Sequence, residues 1–261
     1  MTLRAYTKNA TMAATSLVGE NFLFLLDYAM RLVRVLLLLA IWRTLFTGKT
    51  DVSGLTLNDL LTYTLIAEIF ADPLEAMTGF ADAFWDGSIS TRFLRPIGLM
   101  EQFVTEQFGR WGMNFLFFSL PLICLTPLLG VNPLPANALS GALFCLSLTL
   151  GVSVGLALDF IFGAIAIGLE MPPFAVQRLR RAIGTLLSGA LIPLALLPWG
   201  LGKLFALTPF ASVASAPLQL FIEKGDSLEL ISIQLFWSVA LWPMAIWSWR
   251  KGREKMVSYG G

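Results

Sequence analysis

The sequence contains no histidine among its 261 residues, which removes the commonest general base, proton shuttle and metal ligand together. Metal or triad catalysis is thereby set aside, and no catalytic residue and no metal site is assigned. Cysteine is nearly as scarce: Cys124 and Cys145 sit inside apolar runs, form no Cys-x-x-Cys pattern and read as small core residues. Charge is sparse too. Asp, Glu, Lys and Arg make up 13% of the chain, about half the share of an ordinary soluble domain. The 18 basic and 17 acidic residues leave a net charge of +1, so overall electrostatics give no surface for nucleic acid. The first twenty residues are polar and mixed, without the basic and then apolar order of a cleavable signal.

What the chain has in excess is apolar residues, 56% of the total, with a mean hydropathy of +0.74. That is too much to hide in one globular core. A hydrocarbon layer of about 30 Å takes roughly 20 mostly apolar residues per helix, and this length divides the sequence. From 111 to 158 there is not one charged residue. Gly130-Val131-Asn132-Pro133-Leu134-Pro135 breaks that stretch into two spans, because prolines and a glycine stop a helix. Residues 182–202 and 230–249 are charge-free for about one span each. Two further runs carry charges: 22–46 holds Asp27, Arg31, Arg34 and Arg43, and 57–77 holds Asp59, Glu68, Asp72 and Glu75. The polar turn 48–54 joins them. The expected fold is an all-α membrane protein, a single transmembrane domain over 1–261 with six spans at about 22–46, 57–77, 103–129, 137–168, 180–197 and 228–249.

Cytoplasmic connections carry the excess of Lys and Arg. With both termini inside, the inner side holds Arg4, Lys8, Arg92, Arg95, Arg178, Arg180, Arg181, Arg250, Lys251, Arg253 and Lys255, against Lys49, Lys203 and Lys224 outside. The expected location is the cell (inner or plasma) membrane, multi-pass, with both termini cytoplasmic. Trp42 and Trp199 then fall at the outer interface and Trp111 and Trp249 at the inner one, where amphipathic rings settle.

Ahead of the first span, Leu3, Tyr6, Ala10, Ala13, Ala14 and Leu17 recur at near-helical spacing opposite Arg4, Lys8, Asn9 and Thr15. Residues 1–21 therefore read as a helix along the cytoplasmic interface or, failing that, as a frayed polar tail. Between the last two spans, 197–228 is apolar yet contains Pro198, Pro209 and Pro217. Irregular backbone at membrane depth has to be buried in protein. The segment is read as broken helical pieces re-entering the outer leaflet, an outer gate with candidate residues Pro198, Trp199, Pro209, Phe210 and Pro217.

The longest inner connection, 78–99, alternates aromatic and charged residues. It suits a short amphipathic helix across the membrane face, able to dock on a soluble partner. Within it Asp86-Gly87-Ser88-Ile89-Ser90 leads into Phe93-Leu94-Arg95-Pro96-Ile97. Further on come Leu187-Ser188-Gly189-Ala190-Leu191-Ile192-Pro193 with Pro198-Trp199, then Pro209-Phe210, Pro217-Leu218-Gln219-Leu220-Phe221 and a final Tyr259-Gly260-Gly261. In this order the segments resemble the membrane subunit of ABC-2 type exporters, the six-span ABC-2 family transporter proteins. The resemblance implies that two permeases, identical or related, pair around a substrate pathway, and that two cytoplasmic ABC ATPase subunits drive it. It also implies that the 87–96 loop is a coupling helix seated on the ATPase, with Asp86, Gly87, Arg92, Arg95 and Pro96 at the contact. The acidic second span departs from the family's pattern. No cofactor is expected on this chain, ATP and magnesium belonging to the partner ATPase. The nearest approach to a phosphate loop, Gly200-Leu201-Gly202-Lys203-Leu204, lacks the first glycine and the hydroxyl. The chain is thus expected to be no enzyme by itself.

Charges inside a membrane are costly, and each asks for a partner. Glu68, Asp72 and Glu75 follow i, i+4, i+7 spacing along one helix face. At a rise of about 1.5 Å per residue, Arg31 and Arg34 reach the depth of Asp72 and Glu75. Ion pairing between the first two spans is one reading, and a cation-recognising pathway face is the other. Arg110 and Asp159 match in depth in the same way. Gly151, Gly155, Gly163 and Gly168 fit close helix packing. Two other functions compete: an ion-coupled secondary transporter using intramembrane carboxylates, which would show inverted repeats or broken midplane helices, and a lipid-modifying membrane enzyme, for which no residue constellation is evident. Membrane lipid surrounds the chain, and a small amphipathic substrate is favoured because no large soluble acceptor domain is present.

Overall fold

The computed structural model describes residues 3–16 and 21–260. It opens with α1 (Leu3–Ser16) and α2 (Asn21–Leu45). A hairpin follows, β1 (Asp51–Val52) against β2 (Leu55–Thr56), with Asp51 opposite Thr56 and Val52 opposite Leu55. Ser53 and Gly54 both take positive φ, 54° and 77°, as a two-residue turn between twisted strands requires. The next helix, α3 (Leu57–Ile69), starts on a capping box: the Asp59 N–H donates to Thr56 Oγ1, and the Thr56 N–H donates to the Asp59 carboxylate. Asp59, which interrupts the apolar run in sequence, is therefore a helix cap.

The second expected span is two helices rather than one. After Phe70 the chain continues as α4 (Ala71–Glu75) and stops at Ala76, whose φ of 46° and ψ of 51° are left-handed. The inner connection forms α5 (Phe80–Trp85) and α6 (Ile89–Arg92), two short helices with Gly87 at φ 74° between them. Next comes a long rod: α7 (Leu99–Asn114), a π turn (Phe115–Ser119) and α8 (Leu120–Leu129). Gly130, left-handed at φ 61°, ends it, and α9 (Ala138–Gly168) begins on the Asn137 side chain, which accepts from the Ser140 N–H. Then follow α10 (Pro173–Leu187), a 3-10 turn (Leu194–Leu196), α11 (Leu201–Ala206), α12 (Pro209–Val213), α13 (Ser215–Phe221) and α14 (Ser227–Gly260).

Among the described residues three helices are long and apolar enough to cross a membrane: Leu99–Leu129, Ala138–Gly168 and Ser227–Gly252. Their ends gather in two groups. At one end Thr62 donates to the Asn132 carbonyl, the Ala136 N–H to the Phe221 carbonyl, and Lys224 to the Gly54 carbonyl. At the other, Asn9 donates to the Gln102 carbonyl, and the Phe80 and Trp249 rings meet edge to face at 5.2 Å. The chain thus shuttles between two ends of one helical bundle. One core joins α2, α3 and α13 around Leu39, Leu60, Tyr63 and Leu218, and a second joins α5, α7, α9 and α14 around Phe103, Phe160 and Trp249.

The structure corrects several expectations. The helix of the fifth span starts at Pro173 rather than 180 and breaks at Ser188, short of 197. Hydropathy alone marked the charge-free window 182–202; amphipathic spacing sets the helix, with Pro173, Val176 and Arg180 on its buried face. Trp42, Trp111 and Trp249 are core residues rather than interface anchors, at 7%, 8% and 4% exposure. Cys124 and Cys145 are exposed on outward apolar faces. Inside an all-apolar run, a lipid-facing residue and a core residue look alike.

Candidate functional site

The three carboxylates of the acidic face each meet an arginine. Arg34 lies 2.5 Å from Glu68 and Arg31 3.3 Å from Asp72, both across α2 and α3–α4. The third, Glu75, takes Arg181 of α10 at 2.6 Å. Residues 31 and 34 run opposite 72 and 68, so two antiparallel helices match one turn for one turn. Arg31 also holds Asp27 at 3.0 Å, and Asn114 of the long rod donates to Asp72.

A second cluster is buried more deeply. Asp159 of α9 accepts from Arg180 at 3.1 Å and from the Thr78 N–H and hydroxyl at 2.9 and 2.5 Å. The guanidinium donates in turn to the carbonyls of Glu75, Ala76 and Gly155. These carbonyls include two at the end of α4, which lacks helical partners there. One arginine thus fastens α4, α9 and α10 together. Asp159 therefore pairs with Arg180, not with Arg110. The Arg110 guanidinium instead lies over Gly79, where a Cβ would stand 3.3 Å from it.

The inner connection is folded onto the long rod. Glu106 of α7 accepts from Arg92 at 2.6 Å and from Arg95 at 3.4 Å. Gln102 donates to the carbonyls of Arg92 and Ile97, and Asn9 of α1 accepts from Arg95 while donating to Thr105. The Ser88 N–H, donating at 2.8 Å, holds the Asp86 carboxyl below the usual range. What the loop turns outward is apolar: Trp85, Phe93 and Leu94 are 71%, 41% and 86% exposed.

Three cavities surround the acidic helix. A cleft of about 570 Å³ lies between α2, α3–α4 and α10, lined by Arg34, Glu68, Asp72, Glu75, Arg181 and Phe210. A polar cleft of about 600 Å³ adjoins it, bounded by Asp27, Arg31, Asp82, Arg110, Trp111 and Arg178. A groove of about 620 Å³ between α4, the π turn, α9 and α14 is mostly apolar.

The family model of the ABC-2 family transporter protein matches residues 32–260. The chain belongs to this family. Neither the curated proteins nor the solved structures yield a match. As an ABC-2 permease it is a membrane component of a transporter that works with ABC ATPase subunits.

Against that identity the sequence candidates of the permease sort themselves. Arg31, Arg34, Glu68, Asp72 and Glu75 share one cluster. Of the loop set, Asp86, Gly87, Arg95 and Pro96 are exposed, Arg95 reaching Glu106 from the surface, whereas the Arg92 side chain turns inward to Glu106. The outer set divides: Pro198 and Trp199 are exposed, Pro209 and Phe210 are half-buried beside the 570 Å³ cleft, and Pro217 is buried. Sequence reasoning missed Arg180, counted only as a loop charge, and Glu106 and Gln102, which sit just inside the long rod. It also missed Gln234, fully buried, which donates to the carbonyls of Ser147 and Ser212 and so ties α14 to α9 and α12. A lone glutamine in the charge-free run 230–249 was the available signal.

Proposed function

We propose that the chain is the transmembrane permease subunit of an ATP-driven ABC exporter. Two permeases, identical or related, pair around a pathway, and two cytoplasmic ATPase subunits carry ATP and magnesium. Six crossings are assigned to α2, α3–α4, α7–α8, α9, α10 and α14, with α11–α13 as the re-entrant outer segment. Both termini are cytoplasmic, a reading supported by α1 and the end of α14 lying at the same end of the bundle as the 86–96 loop.

The observation that carries this reading is the inner loop: pinned to α7 through Glu106 and Gln102, it turns an apolar tip of Trp85, Phe93 and Leu94 outward. A rigid lever with an apolar tip suits a docking partner. A push on the tip passes along α7, and through the Phe80 ring to Phe103 and Trp249 of the inner core. The Arg180–Asp159 cluster ties the end of α4 to α10; α12 packs on the middle and inner part of α9 through Phe210 on Phe162 and Val213 against Gly151, and α13 on its far half through Phe221 on Phe144. The motion therefore ends at the outer segment. The ion-coupled alternative needs carboxylates free to exchange a cation, and Glu68, Asp72, Glu75 and Asp159 each hold an arginine.

The test is affinity purification of the tagged chain in mild detergent, mass spectrometry of its partners and an ATPase assay on the complex. Recovery of a Walker-containing subunit with vanadate-sensitive hydrolysis supports the exporter. A chain that purifies alone and without hydrolysis moves the assignment to ion coupling.

A further inference from the structure

We infer that the ion pairs Arg31–Asp72 and Arg181–Glu75 form an inner gate in the substrate pathway, a charged bar that shuts the polar cleft off from the cleft between α2, α3–α4 and α10 until it parts. The inference rests on the permease reading and adds how the pathway within one subunit is closed.

The two clefts have six lining residues in common: Asp27, Arg31, Asp72, Glu75, Met77 and Arg181. Every one of them is tied to another of the six. Arg31 bridges Asp27 and Asp72 at 3.0 and 3.3 Å, Arg181 meets Glu75 at 2.6 Å, and the same guanidinium reaches Met77 Sδ at 3.8 Å. The wall between the clefts is thus a row of side chains joined to one another across α2, the end of α4 and α10. The order along each stretch of chain agrees. On α2, Asp27 and Arg31 border both clefts, and Arg34, about one turn further on, borders only the second. From α3 to α5, Glu68 borders only the second, Asp72 and Glu75 both, and Asp82 only the polar cleft. On α10, Phe174 and Arg178 border only the polar cleft, Arg181 both, and Gly184 and Thr185 only the second. Three stretches of chain place the row at one level, with the polar cleft on the side of the inner loop.

A bar that opens has to be weak, and this one is. The Arg181 and Glu75 side chains are 59% and 43% exposed, and an ion pair that water reaches holds little. Arg180, the next residue, is 5% exposed and fixed by Asp159 and three backbone carbonyls; parting that contact leaves a buried, unpaired charge. The helix α10 therefore carries an anchor and a latch side by side. The anchor holds it to α4 and α9, and the latch closes the row. The inner loop reaches this latch by a short route. Trp85 of its apolar tip meets Phe174 edge to face at 5.7 Å. Phe174 stands seven residues before Arg181, about two turns away on the same face of α10. A push on the tip meets α10 at Phe174, Arg180 gives the helix a fixed point to turn about, and Arg181 swings away from Glu75.

The test is the rate at which MTSET, a charged thiol reagent that does not cross membranes, labels single cysteines in inverted vesicles holding the full chain, with Cys124 and Cys145 replaced by alanine. Thr185→Cys reports the second cleft and Arg178→Cys the polar one. Arg178→Cys is expected to label fast and Thr185→Cys slowly. Arg181→Glu sets two carboxylates against each other and should speed labelling at Thr185→Cys by at least about fivefold, leaving Arg178→Cys unchanged. Adding Glu75→Arg restores the pair in reverse and should return the slow rate. Arg181→Gln and Arg31→Gln, which bring in no repulsion, should accelerate labelling in the same direction, and they decide the matter if the reversed variant does not insert. Equal rates at the two reporters, or no acceleration in any of these variants, would overturn the gate. Acceleration that Glu75→Arg fails to reverse would overturn the ion pair as its cause. An ATPase subunit recovered with a chain whose two reporters label alike keeps the permease and removes the gate; a barrier that follows these charges in a chain without an ATPase partner does the reverse.

Discussion

Arg180 meets Asp159 at 3.1 Å with side-chain exposures of 5% and 8%, and every other acceptor around the guanidinium is a backbone carbonyl from α4 or α9. Two charges taken out of solvent in this way are held by mutual attraction and by satisfied hydrogen bonds; either one alone is a buried, unpaired charge. Arg180→Met is expected to destabilise by about 3 kcal/mol or more. Adding Asp159→Leu should recover much of that loss, because the pair is then replaced by apolar contacts. Thermal unfolding followed by size-exclusion chromatography of the three variants checks this, and strictly additive losses would show that the two side chains act independently.

The pairs of the acidic face differ in exposure, and their energies should differ with it. Arg31 and Asp72 are each about a quarter exposed, at 24% and 26%, whereas Arg34 is 51% exposed. A double-mutant cycle with Arg31→Gln and Asp72→Asn is expected to give a coupling of about 1 kcal/mol. The cycle with Arg34→Gln and Glu68→Gln should give only a few tenths, since water screens a half-exposed arginine. Equal couplings would mean that solvent does not reach Arg34.

Much of this arrangement was legible in the sequence because two rules are strict. Apolar length marked rods at about 103–129, 137–168 and 228–249, where helices over 99–129, 138–168 and 227–252 stand. The cost of intramembrane charge set Arg31 and Arg34 against Asp72 and Glu75. Of these pairings Arg31 with Asp72 is present, while Arg34 takes Glu68 and Glu75 takes Arg181. What stayed hidden depends on three-dimensional choice. Arg110 and Arg180 lie at comparable depths, and only the approach of α10 to Gly155 gives Asp159 to the latter. Likewise Arg92 and Arg95 read as loop charges because Glu106 lies on the next element. The failure at α10 has a different origin. Its polar first half is helical for amphipathic reasons, and its apolar second half is broken by Gly189 at φ 73°.

Gly155 should be intolerant of any side chain. A Cβ there would stand 2.5 Å from the Ala76 Cβ, and Ala76 is itself fully buried at a left-handed φ of 46°. Gly155→Ala is expected to cost about 1–3 kcal/mol through overpacking. Ala76→Gly removes the opposing methyl and suits the left-handed backbone, so the double variant should regain most of the loss. Unfolding temperatures of the two single variants and the double variant decide it, and no recovery in the double would place the clash elsewhere.

The inner loop separates docking from scaffolding. Leu94 is 86% exposed and Glu106 is buried beneath two arginines. Leu94→Asp removes an apolar tip without disturbing any contact that holds the loop, so its unfolding should stay within about 0.5 kcal/mol of the parent. ATPase recovered in affinity purification should fall by about tenfold, the loss of one anchor. Glu106→Gln takes away the charge that both Arg92 and Arg95 face, and unfolding temperature and ATPase recovery should then decline together. The contrast between the variants is the informative part. If Leu94→Asp retains full recovery while Glu106→Gln loses it, the partner reads the arginines or the loop backbone, and the apolar tip has some other occupant.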